Sequence, residues 1–211
     1  ADVDNAMNIV NGTLLSNSSV TIGHLEHFES PYGKAQEGWN LIGNPYLADI
    51  NITKHQNVIF DEHKVTKFVY QYNKELDNYI TFDMTNYDEE QKIIPFQSYF
   101  VQTLAPEAEL TVTPVAKEVT LNRRTFDYYT ANEYTSMRLK LYAGDKEQDR
   151  TDIIWEEGAS ADFVVNEDAP KFWSLSATAN QLFSAAGKSA ASVNTLPMDT
   201  EEVKLGLRIG T

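Results

Sequence analysis

Hydrophobic and polar positions alternate with a period of two over much of this 211-residue chain. In "VTKFVYQY", Phe68, Tyr70 and Tyr72 fall on one side, and Lys67, Val69 and Gln71 on the other. "NKELD" then reads as a polar turn, and "NYITFD" returns with Ile80 and Phe82 on one face, which predicts a hairpin. "SYFVQT" and "ELTVT" repeat the alternation on either side of the Ala105-Pro106 break. "SMRLKLY" sets Met137, Leu139 and Leu141 against Arg138, Lys140 and Tyr142. "EVKLGLRI" sets Val203, Leu205, Leu207 and Ile209 against Lys204, Gly206 and Arg208. In/out alternation of this kind predicts antiparallel sheets with one solvated face. The expected fold class is all-β, arranged as two antiparallel β-sandwich lobes of a jelly-roll-like kind. Only "SATANQLFSAAGKSAA" has a helix-like composition, and its Ser, Thr and Gly content weakens that reading.

A boundary is expected between Pro114 and Asn122, after a completed strand and before the polar, aromatic stretch "RRTFDYYTANEY". This divides the chain into residues 1–115 and 116–211, the second lobe being expected to be truncated at its C-terminus. "NIVNGTLL" and "EVKLGLRIG" both alternate as strands do, and the sequence stops at Thr211 directly after the latter. The expectation is a fragment whose last strand lies at or near a sheet edge, where open backbone groups invite pairing. The start at Ala1, without Met, similarly suggests a processed protein or an excised piece.

Composition narrows the function classes. A hydrophobic fraction of 42% with no low-complexity tract is enough to build a buried core. The formal charge of −14 repels phosphate backbones, and the only adjacent basic residues are Arg123-Arg124. Nucleic acid and anionic membrane surfaces are therefore disfavoured partners. The absence of cysteine removes disulfides, thiolate metal sites and cysteine nucleophiles. No apolar run approaches the ~20 residues of a membrane span, so membrane insertion is not expected.

Carboxylates offer the sharpest candidate chemistry. In "DKEQDRTDIIWE", Asp145, Glu147, Asp149 and Glu156 match positions 1, 3, 5 and 12 of a helix-loop-helix calcium template. Arg150 occupies the position that requires glycine and the flanks read as strands, which argues against that template. A different calcium site, formed by Asp145, Glu147, Asp149 and Asp152 on a β-turn, is the remaining metal candidate; the competing reading is a solvated acidic hairpin tip. His24 and His27 have H-x-x-H spacing, but on a strand they project to opposite faces and cannot share one ion. There is no G-x-S-x-G and no glycine-rich phosphate loop, so catalysis is not expected. Tyr32, Trp39, Tyr46, Tyr79, Tyr87, Trp155 and Trp173 could offer flat faces to sugars or proteins, or serve as core and corner residues. Tyr128, Tyr129 and Tyr134, in a polar stretch, are the aromatics expected to be most exposed.

"GWNLIGNPY" is a strand-to-turn corner. Gly38 and Gly43 tolerate unusual backbone angles, and Pro45 pushes Asn44 out of the helical region. With the hairpin "VYQYNKELDNY" and the segment "IIPFQSYFVQT", it resembles a recurrent module of secreted and surface-attached Bacteroidetes proteins. Those proteins carry a Gly-Trp-Asn-Leu-(Ile/Val)-Gly-Asn-Pro signature and an Ile-x-Pro-(aromatic or Gly)-Gln-x-(aromatic)-Phe-Val strand. Here residues 94 to 101 match that strand, with Ile94 directly before the proline. "RLKLYAGDKEQDRTDIIWEEGASADFVVNEDAPKFWS" resembles what often follows: a basic-apolar strand, an acidic turn, a second strand and an Asp-Ala-x-Lys element (Asp168, Ala169, Lys171). The matched motifs span roughly residues 37 to 207.

The resemblance implies a noncatalytic β-sandwich piece of a large exported adhesin, repeat protein or hydrolase. It would act in adhesion or interaction at the cell surface or in the secreted fraction. The partner would be an unidentified surface protein or glycan. No cofactor is implied by the resemblance; calcium is a candidate only through Asp145, Glu147, Asp149 and Asp152. The rival expectations are a carbohydrate-binding module attached to a glycan-degrading enzyme and a purely structural spacer.

Overall fold

A computed structural model describes residues 18–52, 58–85, 91–114 and 135–211. The predicted hairpin forms from β5 (Val65–Asn73) and β6 (Asn78–Asp83), with Phe68 opposite Asp83 and Asn73 opposite Asn78. Its polar turn is closed by the Asn73 side chain, which accepts hydrogen bonds from the Glu75 and Leu76 N–H groups. β8 (Ser98–Thr103) pairs with β5, and β2 (Trp39–Gly43) pairs with β8, giving an antiparallel sheet in the order β2-β8-β5-β6. β9 (Ala108–Val112) lies between β1 (Val20–Leu25) and β4 (Val58–Phe60) in a second sheet. The short strands β3 (Ile50–Asn51) and β7 (Lys92–Ile93) pair with each other. Ile42, Val69, Tyr99 and Val101 meet Leu25, Val58, Leu110 and Val112 in one apolar core.

The remaining strands form one sheet. β10 (Thr135–Ala143) and β11 (Lys146–Glu156) make a hairpin, followed by β12 (Ala169–Pro170), β13 (Gln181–Ala186), β14 (Ser189–Pro197) and β15 (Leu205–Arg208). The order is β10-β11-β14-β13-β15, with β12 also on β14. The molecule is thus all-β and sandwich-like, as the alternation predicts, but β11 and β14 run parallel. The helix-like stretch is the β13–β14 hairpin. Ala186 faces Ser189 across a two-residue loop in which Gly187 takes φ 57, the positive angle such loops require. Small alternating side chains there suit a closely packed sheet as well as a helix, and the tight turn decides for the sheet.

The alternation in β5 predicted a wet face, and the structure buries both faces. Val65 and Val69 enter the apolar core, while Phe68 and Tyr70 pack against Ala169, Val193 and the flanking Trp39, Phe100, Ile154 and Phe172. The C-terminal sheet covers the aromatic face. Polar contacts stitch the same seam. The Gln181 amide donates to Asn78 Oδ1 at 2.9 Å, the Ser174 hydroxyl to the Asp77 carbonyl at 2.7 Å, and the Lys67 N–H to Asn166 Oδ1 at 2.9 Å. "NIVNGTLL", residues 115–122 of the expected boundary, Tyr87, Tyr128, Tyr129 and Tyr134 lie outside the described residues.

Candidate ligand groove beside the aromatic seam

The corner signature is a set of backbone locks. Gly38 has φ 65, and a Cβ there would sit 2.3 Å from the Thr103 carbonyl oxygen, so no other residue fits without displacement. Gly43 lies within β2 with no such constraint. The Asn40 amide donates to the Glu26 and Gly38 carbonyls and accepts from the Glu26 N–H. The Asn44 amide donates to Ala48 and Ile93 carbonyls and accepts from the Tyr46 N–H. Tyr46 is buried, its hydroxyl 2.7 Å from the Val112 carbonyl. These residues fix β2 and the turn after it, and through them the side chains displayed on the sheet.

Phe172, two residues beyond β12, enters the aromatic face of that sheet. Its ring centroid lies 4.5 Å from Tyr79, 4.8 Å from Phe100, 4.9 Å from Trp39 and 5.6 Å from Tyr70. Burial pushes the Tyr70 phenol far above its ordinary pKa, and its hydroxyl has no hydrogen-bond partner among the described residues. Where the cover of Phe172 ends, the same face opens into a groove of about 390 Å³. Leu41, Tyr72, Tyr79 and Phe100 supply its apolar walls and Ser98 a hydroxyl, with Gln71 and Gln97 at its border. Leu41 is 61% exposed and Tyr72 43% exposed.

Behind the groove, on the opposite face of β5, a chain of amides braces the sheet. The Gln71 amide donates to Gln97 Oε1 at 2.6 Å, and the Gln91 amide donates to Gln71 Oε1 at 2.9 Å. The Tyr72 hydroxyl donates to the Asp77 carboxylate. That bond raises the Tyr72 pKa, and bonds from Ser176 and Tyr72 hold the Asp77 carboxyl below its usual range. The Tyr72 and Tyr79 rings meet at 64° and 5.3 Å, Tyr79 and Phe100 at 69° and 6.1 Å. The walls therefore present edges and faces at steep angles to one another, not a flat platform.

The carboxylates proposed for calcium are not brought together. The β10–β11 register shifts between Leu141 and Tyr142, which puts Glu147 on the face of Arg150 and Asp152 and leaves Asp149 on the other. Each then meets a cation: Glu147 with Lys140 at 2.7 Å, Asp152 with Arg138 at 2.7 Å, and Asp149 with Lys171 at 2.5 Å. Asp145 is exposed in the turn beside Gly144. Among the described residues no group of three or more His, Cys, Asp or Glu side chains is placed to hold a metal ion. His24 lies on β1, and His27 Nδ1 donates to the Thr103 carbonyl.

The Asp-Ala-x-Lys element is a buried anchor. Lys171 and Asp149 are almost wholly enclosed, and Asp149 Oδ2 also accepts the Leu182 N–H at 2.7 Å. Burial pulls the Lys171 pKa down, against the upward effect of Asp149. Asp168 accepts the Val164 and Thr195 N–H groups, each at 2.7 Å, and desolvation pushes its carboxyl up to about 6. Beside this anchor, Asp149, Asp152, Thr81 and Ser192 help to line a void of about 10 Å³, room for about one water.

Of the aromatics singled out, Tyr46 and Trp155 are structural, the Trp155 Nε1 donating to the Thr200 carbonyl. Trp39 and Tyr79 belong to the seam. Trp173 packs on Phe183, with the Arg208 guanidinium 5.9 Å from its ring centre. Tyr32 is 86% exposed. Leu41, Gln71, Gln97 and Phe100 were not singled out from sequence. The available signal was the pairing of the two signature strands, which sets Leu41 opposite Phe100. No protein-family model, curated protein or solved structure matches this chain.

Proposed function

We propose that this chain is a noncatalytic interaction module of a larger exported bacterial protein, acting in adhesion at the cell surface or in the secreted fraction. Its ligand-contacting surface is the groove beside the aromatic seam. The carrying observation is the groove's lining, which combines aromatic and aliphatic walls with a hydroxyl and, among the described residues, contains no Asp, Glu, His, Lys or Arg. Such a lining suits retention of an uncharged group. The described residues of that lining offer no carboxylate or imidazole pair of the kind that proton transfer usually employs. The resemblance to surface-attached proteins supports the location. The charge of −14 argues against nucleic acid, and no described helix is long and apolar enough to cross a membrane.

The exposed Tyr72 ring, with the Ser98 hydroxyl in the same groove, favours one second reading, a carbohydrate-binding module. The steep angles between rings would let a sugar stack on Tyr72 alone. Both readings are tested by screening the chain against a glycan array and immobilised bacterial and host surface proteins, then repeating any hit with Tyr72→Ala and Leu41→Ser. Binding should be lost in both variants while the fold is retained. Undiminished binding in both would remove the groove from the account, and turnover of a bound glycan would contradict the noncatalytic reading.

A further inference from the structure

The C-terminal sheet has two outer strands, β10 and β15, and they treat their open sides differently. Within the sheet of the described residues β10 pairs only with β11, and β15 only with β13. Open strand edges template pairing with another chain unless charges or bulges guard them. β10 has both guards: its register shift and the cations Arg138 and Lys140, paired across the ladder with Asp152 and Glu147. An antiparallel copy of β10 centred on Leu139 would set Arg138 directly opposite Lys140 of the other copy.

Among the described residues β15 has no register shift to guard it, and its one cation, Arg208, is drawn away from the edge. Its ladder to β13 is regular, with Gln181 opposite Arg208 and Ser184 opposite Leu205. The Ala185 N–H donates to the Lys204 carbonyl, so the peptide groups of residues 204, 206 and 208 face β13. Those of Leu205, Leu207 and Ile209 therefore point to the open side. Their side chains are 52%, 51% and 61% exposed. Arg208 folds back onto its own sheet, bonding Gln181 Oε1 at 3.3 Å and lying over Trp173.

We propose that β15 is a self-pairing edge: two copies of this chain associate by antiparallel pairing of β15 about Leu207. In that register Leu207 faces Leu207, and Leu205 faces Ile209 of the other copy, so an apolar row meets an apolar row. Arg208 falls opposite Gly206, and Lys204 opposite Gly210. Each cation meets a glycine, and no like charges are opposed. The alternatives are worse: centring on Gly206 opposes Lys204 to Arg208, and centring on Arg208 opposes that residue to itself. Sequence thus selects one register out of three. A contact of one short strand buries far less than the roughly 1,200 Å² of a standard stable interface, so the dimer is weak and concentration-dependent. The proposal is independent of the groove.

The test is sedimentation equilibrium of the 211-residue chain from low micromolar to millimolar concentration, with Leu207→Lys and Leu207→Glu. Leu207 is half-exposed, so circular dichroism and melting of both variants should match the parent. The parent should form a reversible dimer, and each variant alone should lose at least about tenfold in association constant. Mixing the two variants in equal amounts should restore the dimer, because Lys then faces Glu. Met137→Lys on β10 should change nothing. A parent that stays monomeric, variants that dimerise like the parent, or a mixture that stays monomeric would each overturn the proposal.

Discussion

The two sides of the aromatic seam are held by different materials. Among β1–β9, the buried set is chiefly aliphatic and aromatic, with Ile50, Val65, Val69, Tyr99, Val101 and Leu110 almost fully enclosed. Across the seam, the buried positions of β13 and β14 include Gln181, Ser184, Ser192, Asn194 and Thr195 beside alanines, and Asp149, Asp168 and Lys171 are buried with them. Apolar burial is non-directional, at about 25 cal/mol per Å². Buried polar groups stabilise only while each keeps its partner, and a lost partner costs the full desolvation penalty. The N-terminal side should therefore tolerate changes of shape, and the C-terminal side should be brittle to single polar changes and responsive to pH.

The largest effect should come from Lys171→Ala, which leaves the Asp149 carboxylate buried without its cation. A loss of about 3–5 kcal/mol is expected in urea unfolding. Replacing both partners, as Asp149→Leu with Lys171→Met, should recover most of it, short of the bond from Leu182. A similar loss, about 3–5 kcal/mol, is expected for Phe172→Ala, which empties the centre of the seam. That variant should weaken both sides, whereas Lys171→Ala acts on one.

Asp168 makes the contrast pH-dependent. Its folded pKa of about 6 lies above the ordinary carboxylate value of about 4. Between those values the folded protein holds more protons than the unfolded chain, so this group's contribution rises on acidification. It is fully present below the unfolded pKa and lost as pH rises through about 6. The difference in stability between the parent and Asp168→Asn should therefore grow in the parent's favour by up to about 3 kcal/mol from pH 7 to 4. A flat difference over that range would mean the carboxyl is not buried as described.

The smaller effects probe the other side and the acidic hairpin. Leu110→Met keeps volume in the apolar core and should cost less than about 1.5 kcal/mol in the same unfolding measurement. Millimolar calcium should leave the melting temperature nearly unchanged, because Asp145, Glu147, Asp149 and Asp152 do not converge. A rise of several degrees abolished by Asp145→Ala would reinstate a calcium site.

Much of the strand pattern was readable in the chain. The "VTKFVYQY" and "NYITFD" alternation gives β5 and β6 with the turn between them, and "GWNLIGNPY" gives a corner that demands glycine at position 38. What alternation could not tell is which faces are covered. Phe68 and Tyr70 look like half of an amphipathic strand until residues 169–193, about a hundred positions later, pack on them. The arrangement of the acidic residues was hidden for a related reason. Parity counted along "DKEQD" puts Glu147 and Asp149 together, and a bulge with no clear residue signature separates them. "SATANQLFSAAGKSAA" misled because alanine and serine suit helix and tight sheet alike, and only the Gly187-Lys188 turn discriminates. The groove needed register as well as pattern, since Leu41 and Phe100 come from separate motifs.

The contrast between the two sides is tested most directly by native-state hydrogen exchange of the parent and Lys171→Ala. If directed polar pairs hold the C-terminal sheet, protection should fall most at amides of β11, β13 and β14, including Leu182. Amides of β5, β8 and β9 should keep most of theirs. Equal loss on both sides, or a loss centred on the N-terminal core, would contradict the account.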